Sequence, residues 1–186
     1  MPFCCEVDRL EDRIVWNARW RVERFRDLDG KVALMLISGA QFEDAVACAR
    51  DSYLGGEFFE DNVALNEGLG ELVDIICGLG APTKWDNANA RLGVGDSNAA
   101  ENASQTGLQG TSKTFKGMDT GYPQRSGQQA EWRATFGSAE GNHAWEEFTV
   151  VNAADDSGKN LNRKVASKGT KTSGETWTLS LKITFS

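Results

Sequence analysis

The stretch Thr176–Phe185, TWTLSLKITF, decides the fold class. Trp177, Leu179, Leu181, Ile183 and Phe185 fall on one face, and Thr176, Thr178, Ser180, Lys182 and Thr184 on the other. Successive side chains of an extended chain point to opposite sides, so strict period-2 alternation marks a half-buried antiparallel strand. The same pattern recurs upstream. Ala90–Val94, Thr114–Met118, Ala130–Phe136, Trp145–Val151 and Leu161–Ala166 read as strands. Turn signals separate them at Gly121-Tyr122-Pro123, Ser126-Gly127, 137–142, 155–158 and Ser173-Gly174. Trp132, Phe136, Phe148, Trp177, Leu179, Leu181 and Ile183 are expected to share one core.

The N-terminal half is mixed. In Arg13–Phe25, Ile14, Trp16, Ala18, Trp20 and Val22 alternate with Asn17, Arg19, Arg21 and Glu23, the signature of a strand anchored by tryptophans. Phe42, Ala45, Val46 and Ala49 have helical spacing, so a short helix is expected over Gln41–Arg50. Tyr53–Phe59 reads as loop or strand. A stronger helical stripe, Leu65, Leu69, Leu72, Val73 and Ile76, predicts a helix over 62–77, capped by Asp61 or Asn62 and stopped by Gly78, Gly80 and Pro82. It is expected to face the core, with Gly68 and Gly70 each weakening it by about 1 kcal/mol relative to alanine. Residues 97–112, SNAAENASQTGLQGTS, read as a long surface loop with one helical turn at its centre. The expected fold is mainly β, an antiparallel β-sandwich, jelly-roll-like, with one or two helices from the N-terminal half. Residues 1–83 are read as a strand and helical segment packing on the sheet, and 84–186 as the sandwich.

Composition narrows the function. The 186 residues carry a net charge of −7, which argues against nucleic acid as partner, since phosphate contacts need a basic surface. Arg13, Arg19, Arg21, Arg24 and Arg26 cluster, but Asp12, Glu23 and Asp27 interleave with them, so they read as a mixed strand face. No apolar run approaches the ~20 residues of a membrane span. The acidic start MPFCCEVDRLEDR lacks the apolar centre of a signal peptide, so synthesis in the cytoplasm is expected. Cys4, Cys5, Cys48 and Cys77 have no metal-ligand spacing and read as reduced, buried or incidental thiols.

Nothing in the chain assembles a reaction centre. His143, the single histidine, sits in the turn GNHAW and reads as a solvent-exposed bystander. Glu146 and Glu147 are adjacent in a strand and point to opposite faces, so they form no acid–base pair. One of them is expected to pair structurally with an arginine such as Arg133 or Arg163. Gly93-Val94-Gly95-Asp96 lacks the rest of a phosphate loop. The 155–160 stretch DDSGKN lacks the spaced acids and terminal glutamate of a calcium loop and reads as a hairpin turn. Trp85, Trp132, Trp145 and Tyr122 could form a sugar-stacking platform, but the strand positions of Trp132 and Trp145 favour a core role. The expectation is no enzyme, no cofactor and no metal.

A resemblance adds a context. Ala90-Arg-Leu-Gly-Val-Gly-Asp-Ser97 is followed by Gln105-Thr-Gly-Leu-Gln109, Met118-Asp-Thr-Gly-Tyr-Pro123, Trp132-Arg-Ala-Thr-Phe-Gly137 and Asn142-His-Ala-Trp-Glu-Glu-Phe148. Asn160-Leu-Asn-Arg-Lys-Val165 and Gly169-Thr-Lys-Thr-Ser-Gly174 then precede the final strand. With Asn62-Val-Ala-Leu-Asn-Glu-Gly68, this order over residues 62–186 resembles a family of structural proteins of tailed bacteriophages, and more loosely tail-collar fibre modules. The resemblance implies a virion component made in the host cytoplasm, without cofactor. Its partners would be the major capsid protein or other virion proteins, together with copies of itself, with no nucleic acid and no membrane. A capsid decoration (cement) protein is the leading expectation. A tail-associated collar or fibre-base protein is the alternative, and a carbohydrate-binding adhesin, marked by exposed tryptophans, comes third. Trp16, Trp20 and Phe25 are the candidate oligomer or docking residues, in an N-terminal segment that either completes the sheet or exchanges with a neighbour.

Overall fold

A computed structural model describes residues 16–186. The predicted start at Arg13 and the positions of Ile14, Cys4 and Cys5 lie outside the described residues. Among the described residues ten strands form two antiparallel five-stranded sheets in a sandwich-like arrangement. The first sheet has the order β2 (Tyr53–Glu60), β1 (Trp16–Arg26), β10 (Glu175–Phe185), β7 (Gln129–Phe136), β6 (Gln124–Ser126). The second has β3 (Val63–Ala64), β9 (Asn162–Val165), β8 (Glu147–Val151), β4 (Arg91–Gly95), β5 (Lys113–Gly117). β10 is the middle strand of the first sheet, in register with β1 from Trp16↔Phe185 to Arg26↔Glu175 and with β7 from Trp177↔Phe136 to Thr184↔Gln129. The N-terminal half therefore supplies two strands of one sheet and an edge of the other. Residues 1–83 and 84–186 do not divide the sandwich.

The inward faces are the predicted ones. Ala18, Trp20 and Val22 from β1, Trp177, Leu179, Leu181 and Ile183 from β10, and Trp132, Ala134 and Phe136 from β7 meet Leu92, Val94, Phe148 and Val150 of the opposite sheet. Each large apolar side chain so buried contributes roughly 1.5–3 kcal/mol. Trp145 ties the layers together through edge-to-face contacts with Phe136 and Trp177, both at 4.9 Å between ring centroids.

The outward face of β10 departs from the half-buried expectation. Thr176, Thr178 and Ser180 are buried: Ser180 lies among Arg21, Glu131 and Lys182, and two short helices cover the other end of this face. They are α1 (Lys31–Ile37) and α2 (Phe42–Cys48), and with Phe25 they form a second core of Phe25, Val32, Leu36 and Ala45. α2 was expected. α1 was not, because its cap comes from a distance: the Asp27 carboxylate accepts the N–H groups of Val32 (3.1 Å) and Ala33 (2.9 Å) and the Thr176 hydroxyl (2.8 Å).

The third helix, α3, spans Asn66–Cys77. Asp61 and Asn62 do not cap it. Val63 and Ala64 first pair with β9, which delays the helix so that Leu65 occupies the cap position with no side-chain bond. Among the described residues no helix is long and apolar enough to cross a membrane.

Candidate functional site

The sharpest difference from the sequence reading lies on α3. Its predicted apolar stripe does not face the core as a unit. Leu65 is buried, and Leu72 and Ile75 pack partly against the core. Leu69 (41%), Val73 (53%) and Ile76 (80%) are exposed, and Leu79 (55%) continues the exposed row just past the helix. The cause is the opposite face. Gly68 lies against the backbone of Asn160 and Leu161, so close that a Cβ would sit 2.5 Å from Asn160 O and Leu161 Cα. On the same side Glu67 accepts from Asn160 N (2.9 Å) and Nδ2 (3.2 Å), and Glu71 from Thr83 N (2.6 Å) and Asn152 Nδ2 (3.2 Å). A glycine and two carboxylates anchor the helix, and a row of aliphatic side chains is turned to solvent.

The named docking candidates sit elsewhere. Trp20 and Phe25 are fully buried inside the chain's own two cores, and Trp16 is half-buried against Phe185. On the folded chain, Trp20 and Phe25 are packing residues and not surface ones. All six tryptophans lie in the described residues and none is exposed. Trp85 and Trp132 turn their indole N–H groups to Lys159 O (3.1 Å) and Trp85 O (2.9 Å), so no sugar-stacking platform of Trp85, Trp132, Trp145 and Tyr122 reaches the surface.

The charged residues work inside the framework. The glutamate that pairs structurally is Glu147, joined to Arg163 at 2.7 Å with both side chains fully buried. Glu147 also accepts from Gln109 N and Gly110 N, while Arg163 donates to Ala99 O and Gln105 Oε1 (both 3.0 Å). Together they strap residues 97–112 onto the second sheet as a loop, with a single hydrogen-bonded turn at its centre, where Gln105 N donates to Asn102 O at 3.0 Å. Asp119 and Arg133 (2.9 Å) form a second buried pair on the first sheet, where Arg133 also donates to Leu36 O in the last turn of α1 and to Ala40 O just beyond it. Such pairs hold parts together because removing either partner strands a buried charge.

The remaining motifs resolve as structure. Gly93 and Gly95 are glycines because side chains there would collide with Phe115 and Thr149, and with Glu147. Asp96 accepts from Ser112 N (3.0 Å) and Thr111 N (2.8 Å), and these hydrogen bonds hold its carboxyl below the usual range. Asp155 and Asp156 face Ser157 N, Leu108 N and the Lys113 ammonium. Among the described residues no group of three His, Cys, Asp or Glu is placed to hold a metal. His143 is half-buried and not the exposed bystander expected, since its Nε2 lies 3.1 Å from Thr114 Oγ1. Cys48 and Cys77 are free and exposed rather than buried.

The open half of the first sheet's outer face is a polar trough containing a cavity of about 150 Å³. Its cations are matched by carboxylates: Arg21 by Glu23, Arg19 by Glu60 (3.6 Å), and Lys182 by Glu131 (3.2 Å). Arg19 and Arg21 also lie over the Phe58 ring, 4.5 and 5.1 Å from its centroid. The trough is balanced in charge and its arginines are already engaged. The exposed row on α3 gathers four of the eight exposed large apolar side chains among the described residues, the others being Leu28, Leu34, Leu54 and Phe58. No family model, no curated protein and no solved structure matches the chain.

Proposed function

We propose that the chain is a structural component of a tailed-bacteriophage particle, serving as a decoration protein that docks in many copies on the capsid exterior. The sequence resemblance over residues 62–186 supplies the context. The observation that carries the docking role is the exposed row Leu69, Val73, Ile76 and Leu79 on a helix whose anchoring face is fully used. An aliphatic patch on a soluble-looking, acidic chain costs solvation unless something covers it. One side of a twelve-residue helix is small beside the ~800 Å² per partner of a stable pairwise interface. A contact of that size suits repeated docking on a symmetric lattice, where many weak attachments act together.

Purified virions test this by quantitative mass spectrometry. A copy number close to that of the major capsid protein supports the decoration role. A few copies confined to the tail would replace it with the collar or fibre-base reading. Ile76→Glu separates docking from folding: at 80% exposure it should leave the denaturation midpoint unchanged and lower incorporation into particles.

A further inference from the structure

A lysine is almost never fully buried without a carboxylate partner. Lys171 is 1% exposed, and its Nζ donates to two uncharged oxygens, Gly137 O at 2.8 Å and Asn142 Oδ1 at 2.9 Å. The nearby carboxylates are engaged elsewhere: Glu140 with Lys116 and Gly137 N, Glu175 with Thr172 N and the Trp177 indole. The Asn142 carboxamide is clamped from its other end, since Nδ2 donates to Ser138 O at 2.9 Å and leaves Oδ1 facing the amine. Backbone bonds on both sides hold the geometry. Lys171 N donates to His143 O (3.1 Å), Ala144 bridges Thr170, and the Gly141 carbonyl is fixed by the Trp145 indole (2.9 Å).

We propose that Lys171 and Asn142 are placed to form an intramolecular isopeptide bond. The Nζ lone pair adds to Cγ of Asn142, one Nζ proton passes to Nδ2, and the Cγ–Nδ2 bond breaks. The products are a Cγ–Nζ amide and one ammonia, with no oxidant, reductant or cofactor consumed. Three features favour the step. Amine and carboxamide are already in contact, which removes the entropic barrier to their meeting. Burial lowers the Lys171 pKa to about 8, which raises the share of neutral, nucleophilic amine. The leaving nitrogen belongs to an exposed residue, so ammonia departs into solvent. The bond would tie the β7–β8 connection to the β9–β10 connection, joining the two sheets at one end of the sandwich. It would also close a loop between residues 29 apart in the chain, restricting the unfolded state.

The test is the intact mass of the purified full chain, held on the alkaline side of the Lys171 pKa, followed by tryptic mapping. The expected result is a loss of one ammonia and a branched peptide joining Lys171 to Asn142, uncleaved after Lys171. Both Lys171→Arg and Asn142→Ala should restore the mass expected from their sequences. An unshifted wild-type mass overturns the proposal. So does an ammonia loss that persists in Lys171→Arg, which would mark cyclisation of an asparagine onto its own backbone.

Discussion

Two glycines about 3 Å of helix rise apart give opposite predictions, although local propensity treats them alike. In a helix interior alanine is favoured over glycine by about 1 kcal/mol. At Gly70 nothing lies within 4 Å of the added Cβ, so Gly70→Ala should stabilise the protein by about that amount. At Gly68 the added carbon meets Asn160 O and Leu161 Cα at 2.5 Å and Leu161 C at 3.0 Å, all backbone atoms that cannot rotate away. α3 must move outward. That strain costs about 1–3 kcal/mol. The shift also weakens the two bonds from Asn160 to Glu67, worth about 1 kcal/mol each. After the propensity gain, Gly68→Ala should lose about 2–4 kcal/mol. Urea denaturation followed by tryptophan fluorescence reads both variants, provided the slope m is unchanged. If Gly68→Ala raised the midpoint as Gly70→Ala does, the close seating of α3 on residues 160–161 would be wrong, and with it the reason for the exposed row.

The other predictions test the core, the buried pair and the acid limb. Trp177→Ala removes a side chain 3% exposed, in contact with Trp145, and should cost about 3–5 kcal/mol in the same denaturation assay; a loss below ~1 kcal/mol would reverse the face assignment of β10. Arg163→Leu strands the Glu147 carboxylate and should cost about 3–5 kcal/mol, whereas replacing both partners with apolar residues should cost much less. Asp96 stabilises the fold fully above its ordinary pKa of 3.8, and this is lost as pH falls through the lower folded value. Asp96→Asn should therefore flatten the stability profile in that acid window, measured by thermal melts against pH.

The strands and their inward faces were legible in the sequence. Period-2 alternation in Trp177–Phe185, Ala130–Phe136 and Trp16–Val22 is a property of neighbouring residues, and it survives into the structure because an extended chain leaves no other arrangement of its side chains. What the opposite faces meet is a different matter. Thr176 and Thr178 look solvent-facing until α1 and α2 fold over them, and α1 exists there because Asp27, outside the helix, completes its first turn. Glu146 and Glu147 are indistinguishable by type, and only the approach of β9 with Arg163 selects the second for burial. Spacing alone placed Leu69, Val73 and Ile76 in the core with Leu72. The tertiary structure turned them outward, because a glycine without a Cβ allows closer backbone contact than a leucine, and two carboxylates found partners beside it. Periodicity identifies a face, but the long-range contact of lowest free energy decides which face is covered.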